Sequence, residues 1–295
     1  MNLTNLSELR ALLERHGFSF SKALGQNFLV NPSVAPRMAE SCGADGIGVL
    51  EIGPGIGTLT RELCLRAGKV VAVELDKRLP DILAETLAGF DNVKIVQGDA
   101  MTLDLRALIR EEFGNMPAVV CANLPFYITS PILMRLLESR LPVEAITVLV
   151  QKEAADRLCS DPGTRVCGAV SVSVAYYADP VSLFPVSRGS FLPAPNVDCR
   201  VIRLNVRPSP LGITDEQGFF RMIRAAFGQR RKTLPNTLSG GLSLPKDDVL
   251  RAVTGAGLRP TARAEELTLP QWAGLWDSMR AVFPGLSPED GSPRQ

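Results

Sequence analysis

Gly48-Val49-Leu50-Glu51-Ile52-Gly53-Pro54-Gly55-Ile56-Gly57 is a short β-rich run that stops on a tight turn of glycines. The segment after it, TLTRELCLRAG, has the length and amphipathic spacing of a helix. Outward from this unit the alternation repeats as far as Lys152. Strands are expected at 48–53, 70–76, 93–99, 118–124 and 145–151. Between them lie TLTRELCLRAG, RLPDILAETLAG, LRALIREEF and SPILMRLLESR, with Gly68 and Gly89 where C-terminal caps belong. Such alternation specifies a parallel sheet wound with crossover helices, a Rossmann-like α/β fold. Each chemically suggestive motif falls at a strand's carboxyl end, where open α/β sheets bind ligands.

The 295 residues suffice for one large domain and a smaller one. No stretch of about 18 uninterrupted apolar residues occurs, and the N-terminus MNLTNLSELRALLERHGF reads as a charged amphipathic helix rather than a signal peptide. A cytoplasmic protein without a membrane segment is expected. The six cysteines show no C-x-x-C spacing and fall largely within apolar runs, as reduced packing residues do, so no metal site is expected. His16 is the only histidine, which leaves little scope for Ser/His/Asp or Cys/His nucleophilic centres. The net charge of +1 does not announce a nucleic-acid binder. The charges are unevenly spread, however. Between Asp198 and Leu234 stand eight basic residues, Arg200, Arg203, Arg207, Arg221, Arg224, Arg230, Arg231 and Lys232, against the three acids Asp198, Asp215 and Glu216.

A glycine turn followed about 20 residues later by an acid, here Glu74, also marks dinucleotide sites. Two details weaken that reading. Thr58 stands where the third glycine of G-x-G-x-x-G belongs, and Pro54 removes an amide donor from the loop that would hold a pyrophosphate. A nucleoside cofactor without phosphates fits better, its ribose on Glu74 and its amino-acid end near Gly53. S-adenosylmethionine is such a cofactor. Asp99, ending the third strand, could accept from an adenine amine, or simply serve as a turn acid. The fourth strand ends in Asn123-Leu124-Pro125-Phe126. An exocyclic adenine amine is a poor nucleophile because its lone pair is delocalised. The Asn123 side-chain oxygen and a backbone carbonyl beside Pro125 could accept its two hydrogens while Phe126 stacks on the base. The same four residues also read as a strand-to-helix turn, with Ser130 as N-cap and Pro131 at the first helical position.

Farther along, AVSVSVAYY (169–177) alternates like a strand yet is long enough for a helix, and periodicity does not separate the two. VSLFPVSRGSFLPAPNVDCRVIRLNVRP reads as an antiparallel edge hairpin with a Pro-rich connection. Beyond Pro210 the chain turns helical, as a small all-α C-terminal domain over 210–283. Trp272 and Trp276, four apart, read as core. The stretch 284–295 reads as a disordered tail.

Beside EIGPGIG, VELD, QGDA and NLPF stand LGQNFL (24–29), QKEAADRL (151–158), FLPAPNVDCRVIRL (191–204) and FGQRRKTL (227–234). On these motifs the chain resembles, over nearly its whole length, the KsgA/RsmA family of small-subunit (16S) ribosomal RNA adenine N6,N6-dimethyltransferases. The resemblance implies a class I S-adenosylmethionine-dependent methyltransferase sheet in a domain over 1–209, with 1–45 forming an N-terminal helix and cofactor lid. It carries cofactor contacts onto Asn27, Leu29, Gly53, Glu74, Asp99 and Asn123, and catalysis onto Asn123, Pro125 and Phe126. It implies RNA contacts in the helical domain at Arg230, Arg231 and Lys232. The implied activity is transfer of four methyl groups to two adjacent adenosines in a hairpin near the 3′ end of the 16S rRNA, by a monomer acting on the small-subunit precursor. Two departures stand out: NLPF replaces the family's usual NLPY, and Pro235 stands where another basic residue is common. The alternatives are a resistance-type methyltransferase of large-subunit rRNA, which shares the cofactor rim but not the agreement through QRRKTL, and a noncatalytic RNA-binding assembly factor.

Overall fold

A computed structural model of the chain describes residues 1–21, 24–208 and 211–286. These form two compact units. The first comprises Met1–Ala155 and Asp179–Arg207; the second comprises Asp156–Ala178 and the described residues from Pro208 onward.

Among the described residues there are nine strands, all in the first unit but for the first residue of β7: β1 Phe28–Leu29, β2 Gly48–Ile52, β3 Lys69–Glu74, β4 Val93–Gln97, β5 Ala118–Asn123, β6 Ala145–Gln151, β7 Ala178–Val186, β8 Phe191–Leu192 and β9 Cys199–Val206. Seven make one sheet in the order β4-β3-β2-β5-β6-β9-β7. The β4-to-β6 pairs are parallel, and β9 runs antiparallel to β6, with Val148 opposite Ile202. All five residues of β2 are buried, as are the first five of β5, because crossover helices cover both faces of a parallel sheet. The expected edge hairpin is present as the neighbours β7 and β9, with β9 inserted beside β6. Its connection does not idle: β8 pairs antiparallel with β1, placing Leu29 opposite Phe191. Two motifs far apart in sequence, LGQNFL and FLPAPN, thus meet in one ladder, with Leu29 and Phe191 162 positions apart.

The crossover helices are Thr58–Cys64, Pro80–Thr86, Leu105–Phe113 and Thr129–Glu138. Two capping expectations fail. The first two helices end on Leu65 and Leu87, not on glycines, and Gly68 instead lies where a Cβ would meet the Gly46 carbonyl at 2.7 Å. Its small size permits a close backbone approach. The last helix starts ahead of the expected Ser130 cap, with Ile128 at the N-cap position.

The second unit is all-α and discontinuous in sequence. AVSVSVAYY is a helix, Ala169–Tyr177, buried on nearly every side, which is why its alternation carried no information. Tyr176 and Tyr177 pack on Phe219 and Phe220 and donate to the Glu216 carboxylate at 2.8 and 3.1 Å. These contacts recruit residues 156–178 to this unit, away from the 1–209 domain to which sequence reading assigned them. The core also holds Trp272 and Trp276, both fully buried as expected. Of the expected tail, Pro284–Leu286 form a 3-10 turn with Leu286 buried. The remainder, 287–295, lies outside the described residues.

Candidate active site

The turn after β2 takes Gly53, Gly55 and Gly57 to φ values of +71°, +59° and +88°, a region that disfavours any side chain. A Cβ on Gly53 would meet nothing within 4 Å, so this backbone faces open space, whereas one on Gly55 would come within 3.2 Å of the Phe28 ring. The acid of β3 braces the same turn. Glu74 accepts from the Gly55 amide at 3.2 Å and from the Asp76 amide at 2.7 Å. Its burial raises the carboxyl above its ordinary range, against the pull of those two amides.

After β4, Asp99 Oδ1 accepts from the Met101 amide at 2.8 Å, and the Asp99 carbonyl accepts from the amides of Thr102 and Leu103. The turn reading of this residue therefore holds. It coexists with a place on the cleft wall, since one carboxylate oxygen suffices for the turn.

At the end of β5 the Asn123 amide nitrogen donates to the Asn27 carbonyl at 3.2 Å, which leaves Oδ1 as its acceptor. The Pro125 carbonyl takes the Ile128 amide at 3.2 Å and the Thr129 hydroxyl at 3.3 Å. The neighbouring Leu124 carbonyl has no partner among the described residues. The half-buried Phe126 ring meets Phe191 edge-on, with centroids 6.5 Å apart at 79°.

These strand ends enclose one cleft of about 1040 Å³, counted out to its open mouth. Asn27, Leu29, Gly53, Glu74, Asp99 and Asn123 all line it, as do Pro125 and Phe126. Leu29 is also a core residue, 3% exposed. Arg230, Arg231 and Lys232 belong to the other unit and are exposed; the Arg230 guanidinium donates to the carbonyls of Arg165 and Cys167 at 3.4 Å each. Pro235 is buried in the first turn of helix Leu234–Leu242, a position that suits its fixed torsion.

Sequence reading gave Glu51 no task. In the structure it lines the cleft, 1% exposed, with Oε2 lacking any partner among the described residues. Burial, with the Glu74 charge adding to it, pushes its carboxyl up to about 8. Leu75, Met101 and Tyr127 also line the cleft. Leu75 lies inside VELD, and Met101 and Tyr127 directly follow QGDA and NLPF; that proximity was the only signal available.

Among the described lining residues there are three acids, Glu51, Glu74 and Asp99, and no lysine, arginine or histidine. Such a wall offers a pyrophosphate no counter-charge among its described residues and suits a ligand rich in donors and positive charge. S-adenosylmethionine meets that requirement: it carries a sulfonium, an ammonium, two ribose hydroxyls and an adenine amine. The orphaned Glu51 oxygen offers a buried acceptor toward such a group.

Comparison with known proteins agrees with this chemistry. A curated relative from Geobacillus thermodenitrificans, named ribosomal RNA small subunit methyltransferase A, is 44% identical over 280 residues, covering 93% of this chain and 96% of the relative. Among solved structures, a dimethyladenosine transferase from Plasmodium falciparum superposes with a TM-score of 0.72 at 22% identity, covering 86% of this chain and 98% of that one. That likeness speaks to the fold alone. The 23S rRNA methyltransferase ErmE superposes with a TM-score of 0.63 at 29% identity, covering 86% and 99%. The family model described as ribosomal RNA adenine dimethylase matches residues 17–279. A match of that extent, with near full-length identity to a curated relative, establishes that this chain belongs to the ribosomal RNA adenine dimethylase family and is an S-adenosylmethionine-dependent methyltransferase.

Proposed function

We propose that the chain dimethylates the exocyclic amines of two adjacent adenosines in a hairpin near the 3′ end of small-subunit rRNA, placing four methyl groups in all during subunit biogenesis. The observation that carries the reading is a cleft with no cation among its described lining residues, walled by Glu51, Glu74 and Asp99, that ends on the Asn123–Phe126 loop. Glu74 would hold the ribose, Asp99 the adenine amine, and the Gly53 backbone with Glu51 the amino-acid end of S-adenosylmethionine; Asn27 and Leu29 would lie over it. When bound, this cofactor supplies a methyl group on a positively charged sulfur.

The chain's own part is to bind the target base and prepare its nitrogen. Asn123 Oδ1 and the Leu124 carbonyl are the acceptors free to take the two amine hydrogens, because the Pro125 carbonyl is already occupied by Ile128 and Thr129. Two acceptors in fixed positions favour a nitrogen whose lone pair is localised rather than shared with the ring. Pro125 fixes a torsion between them. Phe126 offers a stacking face to a base splayed from its loop, which offsets part of the unstacking cost. No ionisable base adjoins Asn123 in the loop, so the proton released on methylation passes to solvent. The exposed Arg230, Arg231 and Lys232 would pair with RNA phosphates.

Greater identity to the small-subunit relative than to ErmE favours the small-subunit substrate over the large-subunit one. Incubation with immature small subunits and, separately, with naked large-subunit RNA tests the choice. Dimethyladenosine should appear, by mass spectrometry of nuclease digests, only in the former. Its appearance only in the latter refutes the proposal.

A further inference from the structure

The structure contains a circuit of side-chain hydrogen bonds around the cleft that runs through Asp76 and Gln26, neither of which the family resemblance assigns to the cofactor. Asp76 is 6% exposed. Its backbone amide donates to Glu74 at 2.7 Å. Its carboxylate accepts from Arg78 through Nη2 at 2.6 Å and Nε at 2.9 Å, and from Gln26 Nε2 at 2.7 Å. Arg78 is anchored in turn, donating to the Ser19 carbonyl at 3.0 Å and lying 4.8 Å over the Phe18 ring. Gln26 is gripped at both ends of its amide, since its oxygen accepts from the Ser21 amide at 2.9 Å. The next residue, Asn27, has its carbonyl held by Asn123 at 3.2 Å. One continuous path therefore joins the ribose acid Glu74 to the catalytic Asn123 by way of Asp76, Gln26 and Asn27.

We propose that Asp76 and Gln26 are positioning residues that clasp the 24–29 loop to the end of β3, so that Glu74 and Asn27 present one prearranged surface to the cofactor. The inference rests on the cofactor reading of the cleft. Its physical basis is that Gln26 bridges two elements 50 positions apart with a charge-assisted bond, and bonds of that kind are short and directional. Without it, the loop would have to be ordered at the moment the cofactor binds, at a cost in affinity. The Arg78 hydrogen bonds hold the Asp76 carboxyl down to about 2, so the clasp keeps its charge throughout the neutral range.

The test is calorimetric titration of S-adenosylhomocysteine into the RNA-free full chain and into Gln26→Ala, Asp76→Ala and the double variant, beside the melting temperature of each without ligand. Each single change should weaken Kd about tenfold. The double variant should be no weaker than the worse single, because both changes open the same clasp. In methylation assays KM for S-adenosylmethionine should rise with Kd while KM for RNA stays put. If Asp76→Ala does not fold, Gln26→Ala still decides: Kd within twofold of the wild type, whatever its melting temperature, overturns the clasp while leaving the cofactor reading intact. Effects that multiply in the double variant also overturn it. No binding by the wild-type chain would overturn the cofactor reading and the clasp together.

Discussion

In the sheet unit the distinctive polar groups sit at the ends of buried strands, while in the helical unit they sit on exposed turns around an aromatic interior. The difference separates two ways of holding a functional group. Glu51, Glu74 and Asn123 are fixed by the parallel ladder, since Glu51 lies opposite Ala72 and Cys121, and Asn123 lies opposite Leu149. Arg231 and Lys232 follow a 3-10 turn, Phe227–Gln229, and have no ion-pair partner among the described residues. The first arrangement suits chemistry that depends on tenths of an ångström. The second suits charge that must meet a polyanion at low geometric precision.

Asn123→Ala should show the largest effect. Loss of one fixed acceptor at the reacting nitrogen is expected to lower kcat by about 10² to 10³-fold. S-adenosylhomocysteine binding should suffer less, and RNA affinity should be unchanged. Near-normal dimethylation by this variant would break the assignment of chemistry to the strand end. In the helical unit, Arg231→Ala with Lys232→Ala leaves the Arg230 bonds to carbonyls 165 and 167 in place. That pair should reduce the slope of log affinity against log salt by about 2 and leave kcat at saturating RNA unchanged. An unaltered slope would make these cations a merely solvated surface. Phe126→Leu should cost about tenfold in RNA turnover through lost stacking, whereas Phe126→Tyr should be nearly silent, because the hydroxyl is not used. A large gain from tyrosine would show that the chain is incomplete without it.

The first unit was the more legible for the same reason that it is the more rigid. Five strands and their terminal motifs could be read because each repeats a local pattern of apolar run, turn residue and helix. What escaped was non-local. Nothing in the spacing links Gln26 to Asp76, or Leu29 to Phe191 across the β1–β8 ladder. The ambiguity at 169–177 had another origin. A helix buried on nearly every side has no polar stripe to reveal a 3.6-residue period, so Ala169–Tyr177 could not be told from a strand until Phe219 and Phe220 were seen against it. The glycine caps were misplaced because Gly68 was taken as a conformational residue when its role is to let Gly46 come near.

Glu51 offers the smallest effect and the one that tests the strand-end principle on stability rather than rate. Its carboxyl is pushed up to about 8 from an ordinary 4.5, chiefly by burial. In the folded chain it is therefore protonated at neutral pH, while in the unfolded chain it is ionised above about 4.5. Folding takes up a proton across that window, so the stability Glu51 allows is complete below pH 4.5 and is lost as pH rises toward 8. Glu51→Gln removes the titration while keeping size and a hydrogen-bonding end. Its melting temperature should match the wild type near pH 4.5 and exceed it by a few degrees at pH 8. The difference between the two curves isolates Glu51 from Glu74, whose burial also raises its carboxyl and which remains in both proteins. Parallel curves from pH 5 to 8 would mean that Glu51 is ionised in the folded chain, its charge met by solvent in the cleft, and the wall would then be more strongly acidic than its burial implies.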